Sequence, residues 1–456
     1  MTAERPALLT LAEFAAGLQP EALPARVRER LRSSLIDCVW GCLHLHHDAR
    51  AQAALTVMPR AAGGLAHVLT TGHRANAGDA AFVNALATAA TDRSDTHLPT
   101  ATHPGIIVIP AVLAALEERG GSGLDLERGI AAGYEIMGRI ARAVMSPELA
   151  RIFRPTAVAA PAAAAMAVAS ALRLDARRIA VAGSLAAQTA IGFNEWARAG
   201  TGEHVVHAAF AARNGVTSAY LAAEGFEAAP GALDGVSGLL AGYGVRARGA
   251  ELTRDLGSTF EFDQIAFKPV PACFFAQTPA QVAAAMPPLD SGGIEAVEIR
   301  VTGQAAAYPG CAAATGIDTF QAAVMSIPFA VASTLLAGRL DAGAWARFQA
   351  PELAALAARC AVVIDAELSA AYPARSGCHI RVRMSDGRLV EQRHDDFASM
   401  SAAEVRQRFR DDAAPLIGAQ AAERTLAAIA ALETLPQARL IGEGAEPARV
   451  PRKTAS

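Results

Sequence analysis

The sequence predicts a mainly helical protein with a smaller α/β segment in its C-terminal third. Two observations predict it. Apolar residues recur at three- and four-residue spacing through roughly the first 260 residues, and after about residue 290 they alternate with polar ones. A length of 456 residues also exceeds one ordinary core and favours two domains. The chain reads as a discontinuous helical domain, 1–265 plus 401–456, interrupted by an α/β segment at 266–400.

Thr10-Leu-Ala-Glu13 has the spacing of a capping box at the head of a helix. Pro24 opens a longer helix whose apolar stripe is Val27, Leu31, Leu35, Cys38 and Cys42. Apolar helices are predicted near 78–91, 105–118, 125–144, 157–172, 175–190 and 205–224, with alanine and glycine at their contacts. Helices this apolar are buried on several sides or lie against another subunit. Ile294–Val301 alternates as a half-buried strand, and Cys378–Met384 and Arg388–Arg393 flank the hairpin signal Asp386-Gly387. Helices near 322–337 and 343–346 lie between them, and Ser401-Ala-Ala-Glu404 restarts helix.

Composition narrows the function. Hydrophobic residues at 52% against 19% charged support large buried faces rather than disorder. A net charge of −3 recommends neither nucleic acid nor an anionic membrane as partner. Glu4, Pro6 and Glu13 interrupt any signal-peptide core. The longest apolar run, Ala157–Leu172, contains Pro161 and falls short of the roughly 20 residues of a membrane span. A cytoplasmic protein is the expectation. Six scattered cysteines form no C-x-x-C pair, and Cys38 and Cys42 read as buried thiols on one helix face.

The densest polar cluster runs from Thr91 to Pro104 between two apolar helices, so it is displayed on a loop. Asp92, Asp95, His97 and His103 can supply a general acid or base with carboxylates to orient it. The competing account is a solvated loop in which Thr102 or Asp95 satisfies a helix N-terminus. A second cluster, Glu203-His-Val-Val-His207, sets His204 and His207 on one helix face, with Glu203 to orient one of them. The chain has two lysines, Lys268 and Lys453, among 41 basic side chains. Lys453 belongs to a polar tail, which leaves Lys268 alone in the folded part, and a buried ammonium can lose its proton where a guanidinium cannot. His44, His46 and His47 close an apolar helix and read as partners of its C-terminal dipole. No metal-ligand spacing, phosphate loop, dinucleotide fingerprint, nucleophile elbow or iron–sulfur pattern is present, so no cofactor and no metal is expected.

Taken in order along nearly the whole chain, these motifs resemble the MmgE/PrpD family of dehydratases, decarboxylases and epimerases. The resemblance rests on Leu11-Ala-Glu-Phe14, Asp79-Ala-Ala-Phe-Val-Asn84, Asp95-Thr-His97 with Thr102-His-Pro104, and Gly133-Tyr-Glu135 with Gly138-Arg139. Ala211-Ala-Arg-Asn-Gly215 and Phe267-Lys-Pro-Val-Pro-Ala272 complete it. It implies a helical domain carrying an α/β lid, a homodimer, and cofactor-free proton abstraction beside a carboxylate. Asp92, Asp95, Thr96, His103 and Lys268 match the family's active-site positions. Arg154 stands where a histidine is common, His204 where a lysine is, with His207 retained, Cys273 where a histidine is, and Phe329 where a tyrosine is.

The resulting expectation is a lyase or isomerase, dehydratase first, acting on a small di- or tricarboxylate. His103, His204, Lys268, Asp92 and Asp95 are the catalytic candidates, and Thr96, Arg154, His207 and Cys273 the substrate-binding ones. The rivals are a non-catalytic small-anion-binding protein of the same fold and a metal-dependent hydrolase built on the Asp/His loop.

Overall fold

The computed structural model describes residues 5–58 and 64–447. Lys453 and its tail lie outside them. Long helices build the larger part: Ala25–Cys42, Ala77–Ala89, Gly105–Arg119, Gly123–Val144, Pro155–Ala171, Ala176–Ala187 and His204–Ala223. They pack around an apolar core that Ala402–Ile417 and Ala419–Ala430 complete from the far end of the chain. Small residues let the axes approach closely. A Cβ on Gly133 would stand 2.5 Å from Val108 Cγ1, and one on Gly215 would stand 2.7 Å from Ala164 Cβ. The alanine and glycine richness is therefore a packing requirement.

A second apolar core lies mainly within Ala266–Phe397, and Trp196 and Ala197 reach into it from the helical part. Its four-stranded mixed sheet has the order Cys360–Ile364, Ile294–Val301, Cys378–Met384, Leu389–His394. The first pair is parallel and the other two are antiparallel, with Ile299 opposite Ile380. The strand Cys360–Ile364 is absent from the sequence expectation, because five residues carry too short a pattern to distinguish strand from helix.

Two small backbone contacts position the site. Thr96–His97 pairs antiparallel with Ile265–Ala266, which brings Lys268 alongside the polar loop. Met400 N–H donates to the Phe267 carbonyl at 3.0 Å, so the segment's entry and exit run side by side. Ser401 then caps the next helix in a full capping box with Glu404.

Three local expectations need correction. The first helix begins at Ala7 after Pro6, so Thr10 lies inside it and caps nothing. The helix expected at 322–337 is two, Phe320–Met325 and Ile327–Ala337, because Ser326 accepts from Phe329 N–H and Pro328 starts the second. The long helix ends at Cys42 and continues as a tight turn, Leu43–His46. Burial and then His47 hold His44 near a pKa of about 4, so it is neutral there, and His46 donates from Nε2 to the Thr70 carbonyl at 2.9 Å.

Among the described residues no helix is long and apolar enough to cross a membrane.

Candidate active site

The Ala77–Ala89 helix ends in a turn, and Asp92 follows with a left-handed φ of 51°. Such a backbone is unfavourable for a residue with a Cβ, and its cost is characteristic of constrained functional loops. Thr91 fixes the turn, donating from Oγ1 to the Thr88 carbonyl and accepting from Arg93 N–H. The Asp92 carboxylate accepts from His204 Nε2 at 3.1 Å, and its Oδ2 is buried without a partner. Burial raises its pKa, but His204, Arg50 and Lys268 outweigh that and hold it at about 2. The carboxylate is ionised.

His103 enters from the end of the same loop. Its Nδ1 lies 2.9 Å from the Asp95 carbonyl and 3.2 Å from Thr96 Oγ1. A carbonyl only accepts, so Nδ1 carries the proton and Nε2 keeps its lone pair. Nε2 has no hydrogen-bond partner among the described residues. Burial, then Lys268 and Arg154, push the imidazole well below its ordinary value. It is a neutral base beside two cations.

Arg154 starts the Pro155–Ala171 helix, is 7% exposed and donates to the His204 carbonyl at 2.8 Å. Lys268, 3% exposed, donates to the carbonyls of Asp92 at 3.0 Å and Ala272 at 3.2 Å. Neither cation has a carboxylate partner within hydrogen-bond distance among the described residues. Burial pulls both below their ordinary values. Holding unpaired cations away from water costs several kcal/mol, a cost that an anion entering between them offsets.

Asp92, His103, Arg154, His204, Lys268 and Cys273 line one small cavity of about 40 Å³, room for about three waters. The other candidates stand apart. Asp95 is fully buried behind the loop, accepting from Tyr134 Oη at 2.6 Å and from Gly105 N–H at 3.0 Å. It satisfies the helix N-terminus, as the competing account had it, and burial followed by Asp37 raises its pKa to about 7. Thr96 touches His103 from outside the cavity wall. His207 lies one helical turn past His204, off the wall, with Nδ1 unpartnered and its pKa lowered to about 3 by burial, Arg154 and His204. Glu203 is exposed and orients no histidine; Asp92 takes that place for His204. His97 is locked between Thr100 and Glu261. Phe329 packs on Trp345 in the second core, at 5.9 Å between ring centres.

Sequence reasoning missed four residues of the site. Tyr308 and Thr156 line the cavity, and Trp196 stacks on His204 with ring centres 4.2 Å apart. Gln321 reaches the Asp92 carboxylate at 3.4 Å. Thr156 was findable, being two residues from Arg154. The other three lie in turns or at helix ends without a motif. Tyr308 accepts from Asn194 at 3.3 Å, and burial, then Cys273, keep its phenol protonated.

A cleft of about 680 Å³ adjoins the cavity. Ala101, Phe275 and Tyr308 belong to both walls. The cleft lies between the helical part, at Arg142 to Arg151, and the second core's Thr302 to Tyr308, Tyr372 and Pro373. Among the described residues no group of three or more His, Cys, Asp or Glu side chains is placed to hold a metal ion.

The structure is a helical body and a smaller α/β part with a cation-rich cavity at their junction. The chain belongs to the MmgE/PrpD family, matching its N-terminal domain over residues 9–248 and its C-terminal domain over 270–434. It is 30% identical to the cis-aconitate decarboxylase of Aspergillus terreus over 234 residues, 49% of this chain and 47% of that protein. It is 28% identical over 225 residues to the cis-aconitate decarboxylase-like protein oryM of Aspergillus oryzae, 47% of this chain and 46% of that one. Each match spans about half the length of the curated relative.

Proposed function

We propose that this chain is a lyase or isomerase that removes a proton beside a carboxylate of a small di- or tricarboxylate, without a cofactor. The observation that carries the reading is the pair of unpaired buried cations, Arg154 and Lys268, on a cavity that also holds the free Nε2 of His103. A three-carboxylate cluster would repel such a substrate; this site attracts it.

In the proposed reaction Arg154 grips one substrate carboxylate through its planar fork. His103 Nε2 takes the adjacent proton, and the Lys268 ammonium stabilises the enolate-like charge that develops. The Asp92–His204 pair holds the far side of the cavity and fixes the Lys268 position through the Asp92 carbonyl. Tyr308 retains its proton on the same wall, a donor for a departing hydroxyl, which puts dehydration first. Decarboxylation, the activity named for the Aspergillus terreus relative, would use the protonated base in the opposite sense, delivering a proton as carbon dioxide leaves. Phe275 and Tyr308 form the wall shared with the larger cleft, the side from which a substrate would enter.

Proton NMR of the protein with a panel of di- and tricarboxylates tests this reading. New vinylic signals report dehydration, and evolved carbon dioxide reports decarboxylation. Tight carboxylate binding with no turnover anywhere in the panel would favour the non-catalytic anion-binding protein instead.

A further inference from the structure

Two of the six cysteines meet at the cavity. Cys273 lines it and is partly exposed, while Cys311 is fully buried behind it, with its thiol directed at the Cys273 sulfur at 3.8 Å. Cys273 sits at the N-cap of the Phe274–Ala284 helix, and Cys311 lies three residues past Tyr308. The two backbones are tied to one strip of chain: Cys273 N–H donates to the Val324 carbonyl at 2.8 Å, and Ile327 N–H donates to the Cys311 carbonyl at 2.9 Å. The sulfurs are therefore held within a short movement of the roughly 2.05 Å of a disulfide bond.

The surroundings separate the two thiols chemically. The Cys311 S–H, the Lys268 ammonium and the Phe275 amide all favour a thiolate on Cys273, against burial and Asp92. Cys311 is pushed up, first by burial and then by Cys273. Cys38, Cys360 and Cys378 are buried and line neither this cavity nor the adjoining cleft, and burial raises each of them. A low-pKa thiol that solvent can reach, beside a second thiol, is the arrangement of a redox-active pair.

We propose that Cys273 and Cys311 form a hydroperoxide-reactive thiol pair, with Cys273 the attacked sulfur and Cys311 the resolving one. The Cys273 thiolate attacks a peroxide oxygen, so an S–O bond forms as the O–O bond breaks. The departing hydroxide (or alkoxide) takes up a proton, and Cys273 becomes a sulfenic acid while the peroxide is reduced. The Cys311 sulfur then attacks Cys273, forming S–S and breaking S–O, and the hydroxide released combines with the Cys311 proton as water. Two thiols and one hydrogen peroxide give one disulfide and two waters. Peroxide, close to water in size, is small enough to enter the cavity as it stands. The inference is independent of the reaction proposed above, since its products are read without any substrate.

The full chain is treated with hydrogen peroxide, free thiols are blocked by alkylation, and the peptides are examined by mass spectrometry. A Cys273–Cys311 linked peptide, cleaved by dithiothreitol, is the expected result. In Cys311→Ser the sulfenic acid persists on Cys273 and is trapped by dimedone, while Cys273→Ser yields neither product. On the untreated protein, iodoacetamide labels Cys273 at least about tenfold faster than Cys38 or Cys360. Equal labelling of all three, or peroxide oxidation that spares Cys273, would overturn the proposal.

Discussion

Lys268 Nζ donates to the Asp92 carbonyl at 3.0 Å, so a lysine between the two matched family domains and a strained aspartate on the helical loop form one unit. The pair is held together by the short ladder between Thr96–His97 and Ile265–Ala266, the strand contact nearest the cavity.

Lys268→Ala is expected to abolish most turnover, by about 10²-fold or more, since a developing charge loses its stabilising donor. It also leaves the Asp92 carbonyl unpaired, while the Ala272 carbonyl keeps Gln277 Nε2 at 2.9 Å, and the lost partner costs about 1–3 kcal/mol of stability. Lys268→Arg separates the two effects: it keeps a cation yet cannot place a compact point charge between those carbonyls, so turnover stays low. Near-wild-type activity in Lys268→Arg would show the lysine to be incidental.

Asp95→Ala is expected to act on stability rather than chemistry. Its carboxylate caps the Gly105–Arg119 helix and accepts from Tyr134, while only its backbone carbonyl touches His103. Thermal or urea unfolding is expected to report a loss of about 1–3 kcal/mol. The chemical step of the protein that remains folded is expected to change by less than about tenfold. A large fall in kcat with unchanged stability would return Asp95 to the catalytic set.

The pH profile follows from His103. Burial, Lys268 and Arg154 lower its pKa, against the Asp95 carbonyl and Asp92, so the free enzyme's base is unprotonated from neutrality to well below 6.5. The acid limb of kcat/KM should therefore lie below pH 6.5, with activity rising as pH increases through that limb and level across pH 6.5 to 7.5. A limb centred at or above 6.5 would mean that the titrating base is another group or that the two cations are distant.

How much of this was legible in the sequence depended on the length over which a signal repeats. The six apolar helices between 78 and 224 carry several turns of one pattern, and they occur within a few residues of where the spacing predicts them. The hairpin around Asp386-Gly387 was readable because Gly387 takes a φ of 87° that the turn demands. The polar loop was readable as a cluster but not in its directions. Asp92 and Asp95 are three residues apart and chemically alike, yet one carboxylate lines the cavity, after a left-handed backbone at Asp92, and the other bonds Gly105 and Tyr134 in the core. Tyr308 reaches the site from a turn of the second domain, through tertiary packing that no local pattern records.

A homodimer through the helical part is the expected assembly. Phe210 and Leu221 lie on one face of the His204–Ala223 helix, 52% and 42% exposed, and Phe226 just beyond it is 55% exposed. Apolar side chains gathered this way on one face suit burial against a second copy. Light scattering should report twice the 47.0 kDa of one chain, and a species of that single mass at micromolar concentration would contradict it.

Solvent isotope exchange tests whether His103 Nε2 removes a proton beside a substrate carboxylate. The protein is incubated in D₂O with the same di- and tricarboxylates, and deuterium incorporation is followed by mass spectrometry, whatever product forms. Deuterium is expected at the carbon next to a carboxylate in at least one compound, with the rate lowered about 10²-fold or more in a folded His103→Asn variant. Exchange that proceeds at the wild-type rate in His103→Asn would contradict it.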